Sequence, residues 1–403
     1  MERIVMHIDV NNAFLSWTAI YLLNNGSKYD IRESYAVIGG DETTRSGIVL
    51  AKSTPAKRLG IVTGETLYSA RKKCRVLKTY PPNFKFYQEM SNKMFRLISQ
   101  YTPDIEIASV DECYLEYTKI KSMQGDPLEF AKKLQKEILD ELKFTVNIGI
   151  ANNKLCAKMA SDFTKPYKIH TLYDHEIKEK MWPLKVGELF GIGKKTVPKL
   201  NRLNIFTIKD LATTTPEILY PYFKNQSALM INWANGIDNS LVISEKREPK
   251  GIGNEITLNH DINNIEELNN NLLFLSEKVG MRIRKQNKYA SVIVVILKDN
   301  KFKKFSHQKK LETPTNSTEE IYRISKKILT EMYKEEKIRL IGVRLDNLTD
   351  KKIKQVTIFD DINEEQKNID EVIDQVNNKY GNIIKKASLI NKKYKDNKKY
   401  WQK

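Results

Sequence analysis

The sequence predicts a multidomain α+β protein: a ferredoxin-like sheet with a small accessory region, a helical segment, and a separate second α+β unit. Three observations predict it. Over the first part of the chain, short β-branched runs alternate with apolar helical stripes in the order strand, helix, hairpin, helix, strand. A glycine-centred hairpin between helical patterns follows, at Leu189–Thr196. A charged, Pro-containing stretch, 244–250, then separates a further strand, helix, two strands, helix and strand.

Composition narrows the function classes. The 403 residues, 40% of them hydrophobic, suffice for about two to four domains with real cores. A formal charge of +18 points to a polyanionic partner. Nucleic acid is favoured over a membrane, because no apolar run approaches transmembrane length. Cys74, Cys113 and Cys156 are far apart, which argues against a disulfide framework or a zinc site and for a reducing compartment. With no leader-like N-terminus, a cytoplasmic location is expected. His7, His170, His175, His260 and His307 form no ligand pattern.

The first element is the buried-strand pattern Arg3–Val10, which ends in a carboxylate, Asp9. The apolar run from Asn11 to Leu23 has helical spacing and stops at Asn24-Asn25-Gly26. A strand, an acid and then a helix start present backbone N–H groups and a positive dipole end at Asn12 and Ala13, suited to a triphosphate. As turn and N-cap residues, Asn11 and Asn12 also have a purely structural reading. Residues 35–80 form a small region: strands at Tyr35–Gly40 and Gly47–Lys52, then a short helix opened by Ser53 and Pro55 that carries Thr54, Lys57 and Arg58.

Ile105–Tyr117 reads as two strands around the adjacent acids Asp111 and Glu112. In a regular strand these would face opposite ways, so they serve one cation only if the backbone turns between them. With Asp9 they make three carboxylates at the ends of neighbouring strands, a set that suits Mg²⁺, and two such ions would clamp a phosphoryl displacement. The alternative is three ordinary strand-end acids. Helix 126–142, strand 145–150 and a helix ending near Asp162 complete the first sheet.

Beyond Lys165-Pro166, Leu189–Thr196 with Leu200, Leu203 and Ile205 looks like a helix-hairpin-helix. Its Gly191 and Gly193 would let backbone N–H groups reach a DNA phosphate beside Lys194 and Lys195. The second unit is expected as strand 251–258, helix 264–286, strands 289–298 and 301–307, helix 317–336 and strand 337–346. Arg284, Lys285, Lys288, Lys301, Lys303 and Lys304 are its candidate phosphate contacts.

Ile8–Phe14, Ala56–Ile61, Ala108–Glu112, Asn147–Lys158 and Lys165-Pro166 together resemble the Y-family translesion DNA polymerases, and within them the bacterial UmuC-type members of the DinB/UmuC superfamily. The resemblance covers about residues 1–350. It implies a palm (1–10 and 83–172), fingers (11–82), a thumb (173–240), a linker (241–250), a little finger (251–350) and a tail (351–403). It also implies that Asp9, Asp111, Glu112 and the Val10 carbonyl hold two Mg²⁺, and that Phe14 is the steric gate against a 2′-hydroxyl. Thr54, Lys57 and Lys165 would contact the triphosphate, although many members carry Tyr and Arg where Thr54 and Lys57 stand. Leu50 and Gly64 fall near the roof over the incoming base. Gln355, Val356, Thr357, Ile358 and Phe359 look like a sliding-clamp-binding peptide, against the simpler reading of an edge strand. The expected partners are primer–template DNA, deoxynucleoside triphosphates, a sliding clamp and accessory damage-response proteins. The expected activity is error-prone translesion synthesis in SOS-type mutagenesis. A nucleotide cyclase would share the palm acids, and a non-catalytic DNA- or clamp-binding scaffold would share the basic surfaces.

Overall fold

The computed structural model describes residues 2–42, 45, 47–245, 248–350 and 363–381. These described residues fall into two compact units, one within 1–40 and 47–246, the other within 41–46 and 247–403.

The first unit is organised on a five-stranded sheet of β1 (Val5–Val10), β5 (Ile105–Ile107), β6 (Glu112–Glu116), β7 (Val146–Ala151) and β8 (Ile169–Leu172), in the order β5-β6-β1-β7-β8. The first four run antiparallel to their neighbours in the ferredoxin-like order, and β8 adds a parallel edge strand. All six residues of β1 are buried, as a central strand covered on both faces requires.

The side-chain period of two assigns each face. Met6, Ile8 and Val10 join Cys113, Leu115, Ile148 and Ile150 in a core shared with α1 (Ala13–Asn24), α4 (Phe84–Ser99) and α6 (Pro127–Leu142). Val5 and Tyr114 instead pack toward α7 (Lys154–Asp162). Asp126 caps α6 by accepting from the N–H groups of Leu128 and Glu129, and Asn153 caps α7 by accepting from Cys156 N–H at 2.9 Å. Helix α4 was not singled out in the sequence.

The small region is a three-stranded sheet in the order β3-β2-β4, made of β2 (Ala36–Gly39), β3 (Val49–Lys52) and β4 (Lys78–Tyr80). Helices α2 (Thr54–Arg58) and α3 (Leu67–Lys73) accompany it, with Val37, Val49, Ala56, Ile61 and Leu67 as its core. The strand β4 pairs with β2 in parallel, a long-range pairing that three residues cannot announce. A single turn, α5 (Lys121–Gln124), precedes α6.

The helical segment holds α8 (Val197–Asn201), α9 (Ile208–Ala212), α10 (Pro216–Phe223) and α11 (Gln226–Ala234). The expected hairpin is present, but its flanking helices are short: one 3₁₀ turn at Val186–Glu188 before it and the five residues of α8 after it. Gly191 has φ +93°, and a Cβ there would run into the ring of Trp233 on α11. Gly193, by contrast, has open space above it.

The second unit is a four-stranded antiparallel sheet in the order β11-β10-β12-β9, with β9 (Gly251–Ile262), β10 (Tyr289–Asp299), β11 (Lys304–Thr315) and β12 (Ile338–Thr349). Helices α12 (Ile265–Lys285) and α13 (Thr318–Met332) cover one face through Leu272, Val279, Ile321 and Ile328. Several expected boundaries shift: β9 runs to Ile262 rather than 258 and β12 to Thr349 rather than 346. Strand β11 runs to Thr315, not 307, because it pairs along nearly the whole of β10, and α13 ends at Met332 rather than 336.

Helix α14 (Asn363–Tyr380) supplies Asp370 and Asp374 to Arg284 of α12, whose side chain is 10% exposed. Asp370, 3% exposed, also accepts from the N–H of Thr318 at the start of α13. The expectation that Arg284 contacts phosphate is therefore corrected: its guanidinium is spent on an internal ion pair. Lys288 is likewise taken, by Glu248 at 2.9 Å and Asp350 at 2.7 Å. No helix among the described residues is long and apolar enough to cross a membrane.

Gly149 on β7 lets α7 lie directly on the sheet, since a Cβ there would meet the backbone of Ala157 and Ser161. Gly149→Ala is expected to cost about 3 kcal/mol or more of unfolding free energy, because backbone on both sides leaves no side chain free to yield. Urea denaturation of the two proteins measures it.

Candidate active site

Asp9 stands opposite Glu112 of β6 on one side and Asn147 of β7 on the other. In an antiparallel ladder directly paired residues project to the same face, so these three side chains share the face that α7 covers. Asp111 lies in the turn before β6. Its carbonyl accepts from Val10 N–H at 3.0 Å, and its carboxylate accepts from the Ser109 hydroxyl at 2.5 Å. The backbone does turn at the two acids, as their joint use requires.

Two lysines meet the acids. Lys158, on α7 and 9% exposed, lies 2.7 Å from Glu112 Oε1, 3.4 Å from Asp9 Oδ2 and 3.3 Å from Asp162 Oδ2. Lys165, on the loop after α7, contacts the same Asp9 Oδ2 and lies 2.9 Å from Asp162 Oδ1. Burial works to lower the pKa of both ammoniums, but the carboxylates, Asp9 foremost, hold both above the usual lysine range. Burial pushes the Glu112 carboxyl up; Lys158 opposes this, while the charges of Asp9 and Asp111 add to it.

His7, on the same face, is held well below its ordinary pKa by burial first and then by Lys158 and Lys165. The Ser161 hydroxyl donates to the Lys158 carbonyl, so His7 Nδ1–H donates to Ser161 Oγ at 2.8 Å, pinning α7 to β1. Asn147 is a fully buried hub. Its amide donates to the carbonyls of Ser161 and Thr164, and its oxygen accepts from Asn11 Nδ2 and Lys168 N–H. Asn11 in turn accepts from Tyr167 N–H, so the loop carrying Lys165 is tied to β1 and β7 on both sides of that lysine.

In the sequence, Lys158 and Asn147 are members of one run, Asn147–Lys158, and nothing local gives either a role. The one local signal for Lys158 was its position one helical turn after Lys154.

Asn12 precedes α1 in the left-handed conformation and its side chain makes no cap, which corrects the N-cap reading and leaves the first N–H groups of α1, including that of Ala13, unclaimed by it. Phe14 is half-buried, stacked on Tyr87 at 4.7 Å and edge-on to Phe84 at 5.8 Å. Its ring is thus both core and surface. Thr54 and Lys57 are exposed on α2; Ser53 caps that helix, and Lys57 helps burial lower the pKa of Lys52. Among the described residues, neither pairs with the acids. Leu50 is half-buried on β3, and Gly64 has φ +90°. Lys194 and Lys195 are exposed at the hairpin, and Lys303 is exposed at the β10–β11 turn, where its N–H donates to Asp299. Gln355 to Phe359 lie outside the described residues.

Among the described residues, no three His, Cys, Asp or Glu side chains have their donors gathered as a metal-holding group, and the lysines sit on the oxygens instead. The donor chemistry still fits a hard divalent cation. Three carboxylates share one field, and the repulsion among them, which adds to the effect of burial on Glu112, is what such a cation relieves.

Three family models match the chain: "impB/mucB/samB family" over residues 8–162, "IMS family HHH motif" over 174–205, and "impB/mucB/samB family C-terminal domain" over 249–358. A DNA polymerase IV of Clostridium acetobutylicum is 47% identical over 92% of this chain and 93% of its own length. One of Alkaliphilus oremlandii is 34% identical over 89% of each chain. A Y-family DNA polymerase chimera, Dbh-Dpo4(243-245)-Dbh, shares the fold with TM-score 0.75 at 23% identity, covering 86% of this chain and all of its own. These likenesses do not separate the UmuC-type from the DinB-type branch.

Asn147→Leu keeps the branched shape and heavy-atom count of the hub but strands two carbonyls and two donors in a buried place. A loss of about 3 kcal/mol or more is expected, read as a lowered urea midpoint with an unchanged slope.

Proposed function

The chain belongs to the impB/mucB/samB family of Y-family DNA polymerases and is a DNA-directed DNA polymerase of the translesion type; from that premise we propose that Asp9, Asp111 and Glu112 form its reaction centre and that it works by two-metal phosphoryl transfer. The observation that carries this is the register that sets Asp9 beside Glu112, with Asp111 in the adjoining turn and Lys158 and Lys165 on the oxygens of Asp9 and Glu112.

The three carboxylates and the Val10 carbonyl would hold two Mg²⁺, which when bound supply a lowered pKa for the primer hydroxyl and charge relief at the transferred phosphate. The protein's own part is positioning. The start of α1, with Asn12 and Ala13, turns backbone N–H groups toward the triphosphate. Lys165 and Lys57 offset its charge, the Thr54 hydroxyl donates a hydrogen bond to it, and Phe14, propped by Tyr87 and Phe84, leaves no room for a 2′-hydroxyl. In this reading β1 and β5–β8 are the palm, β2–β4 the fingers, α8–α11 the thumb and β9–β12 the little finger.

The hairpin at Gly191 and Gly193, with Lys194 and Lys195, grips phosphate on the duplex, and Lys303 adds to the basic surface of the second unit. Gln355–Phe359 serves a sliding clamp, and accessory damage-response proteins fit an SOS-type, mutagenic role. A cyclase has no use for the helix-hairpin-helix and C-terminal units that the family models match.

Primer extension on undamaged and abasic templates tests the centre: Asp111→Ala/Glu112→Ala is expected to lose incorporation by at least about 1,000-fold while duplex affinity changes little. Retained incorporation would overturn the assignment. Phe14→Ala is expected to admit ribonucleotides in the same assay; unchanged sugar discrimination would remove the gate. If phosphate contacts dominate, binding of primer–template should weaken steeply with salt, and a flat response would count against the basic surfaces.

A further inference from the structure

We propose that Lys165 is an exchangeable counter-ion that couples filling of the carboxylate centre to arrival of the nucleotide. This rests on the reading of Asp9, Asp111 and Glu112 as metal ligands.

Asp9 Oδ2 is shared by two ammoniums, Lys158 and Lys165. A carboxylate oxygen cannot keep both and also serve a divalent cation, because the cation and the ammoniums repel one another at contact distance. The two lysines differ in how firmly they are held. Lys158 sits inside α7, 9% exposed, and has Glu112 at 2.7 Å and Asp162 at 3.3 Å in addition to Asp9. Lys165 is 34% exposed, lies on the loop beyond α7, and among the described residues pairs with Asp162 alone besides Asp9. Lys165 is therefore the one that leaves.

Its loop does not have to move with it. The backbone on either side is fixed by the bonds of Thr164 O to Asn147 and of Tyr167 N–H to Asn11. The four-carbon arm alone swings, carrying a compact charge that suits phosphate oxygens. A triphosphate entering at the start of α1 would draw Lys165 off Asp9, and the Asp9 oxygen so freed would be open to a divalent cation; equally, Lys165 displaced from Asp9 would be free to meet the triphosphate. The coupling is reciprocal by linkage. Without nucleotide, the same ammonium keeps the centre's charge compensated and its cation affinity low.

The experiment is Mn²⁺ binding by electron paramagnetic resonance. It uses the full chain on primer–template with a dideoxy-terminated primer, with and without a non-hydrolysable deoxynucleoside triphosphate, corrected for Mn²⁺ held by the nucleotide alone. Lys165→Met is expected to bind Mn²⁺ about tenfold more tightly than the parent in the absence of nucleotide, with the gain on adding nucleotide reduced by a similar factor. Lys165→Gln should behave the same way and guards against a local folding defect in the first variant, while Lys165→Arg, which keeps the charge, should stay close to the parent. If Lys165→Met and Lys165→Gln leave both affinities unchanged while Asp111→Ala/Glu112→Ala abolishes Mn²⁺ binding, the counter-ion proposal is overturned and the metal centre stands. If Asp111→Ala/Glu112→Ala binds Mn²⁺ like the parent, the metal centre itself falls, and this proposal with it.

Discussion

The site depends on one strand register. Asp9 lies between Glu112 and Asn147, and the sheet's period of two puts all three on the face that receives α7. A slip of one residue between β1 and either neighbour would turn a carboxylate into the apolar core of Met6, Ile8 and Leu115. That core resists the slip, since every residue of β1 is buried and the alternate set carries His7 and Asp9. The hydrophobic effect, acting on one face of the sheet, thereby sets the positions of charges on the other.

Charge compensation is the second constraint. Three carboxylates in one partly buried place are costly unless paired, and here the pairing comes from α7 and the loop beyond it. Gly149 brings α7 close, Ser161 ties it to His7, and Asn147 holds the loop. The lysines are thus delivered by packing that is itself uncharged. This is how a sheet designed by apolar burial comes to support a polar centre.

Much of this was legible in the sequence, and what was not has a physical reason. The central strand, the acidic hairpin, the helix over 126–142 and the boundaries of α12 and β10 follow from local periodicity and capping, which a few residues carry, whereas β9 runs four residues past its expected end at 258 because it pairs with β12. The three acids stand out by their places at strand ends, whereas Phe14 is marked by the resemblance alone, since a Phe at helical spacing looks like core, and its stacking on Tyr87 makes it partly so.

What escaped depends on partners distant in the chain. The short strand β4 exists because β2 is there to pair with it. Asn147 is one polar residue in an apolar run until its four hydrogen bonds are drawn. Arg284 looked like a phosphate contact because the helix bearing Asp370 and Asp374 lies more than eighty positions away in the chain.

The contact of Gly191 with Trp233 has an optical consequence. The indole ring rests against the backbone of the hairpin at a residue where even a methyl group would collide. An indole's emission depends on the polarity and mobility of what surrounds it. Trp233 is accordingly an intrinsic fluorophore stationed behind the hairpin, and its emission reports how closely α11 packs against that loop.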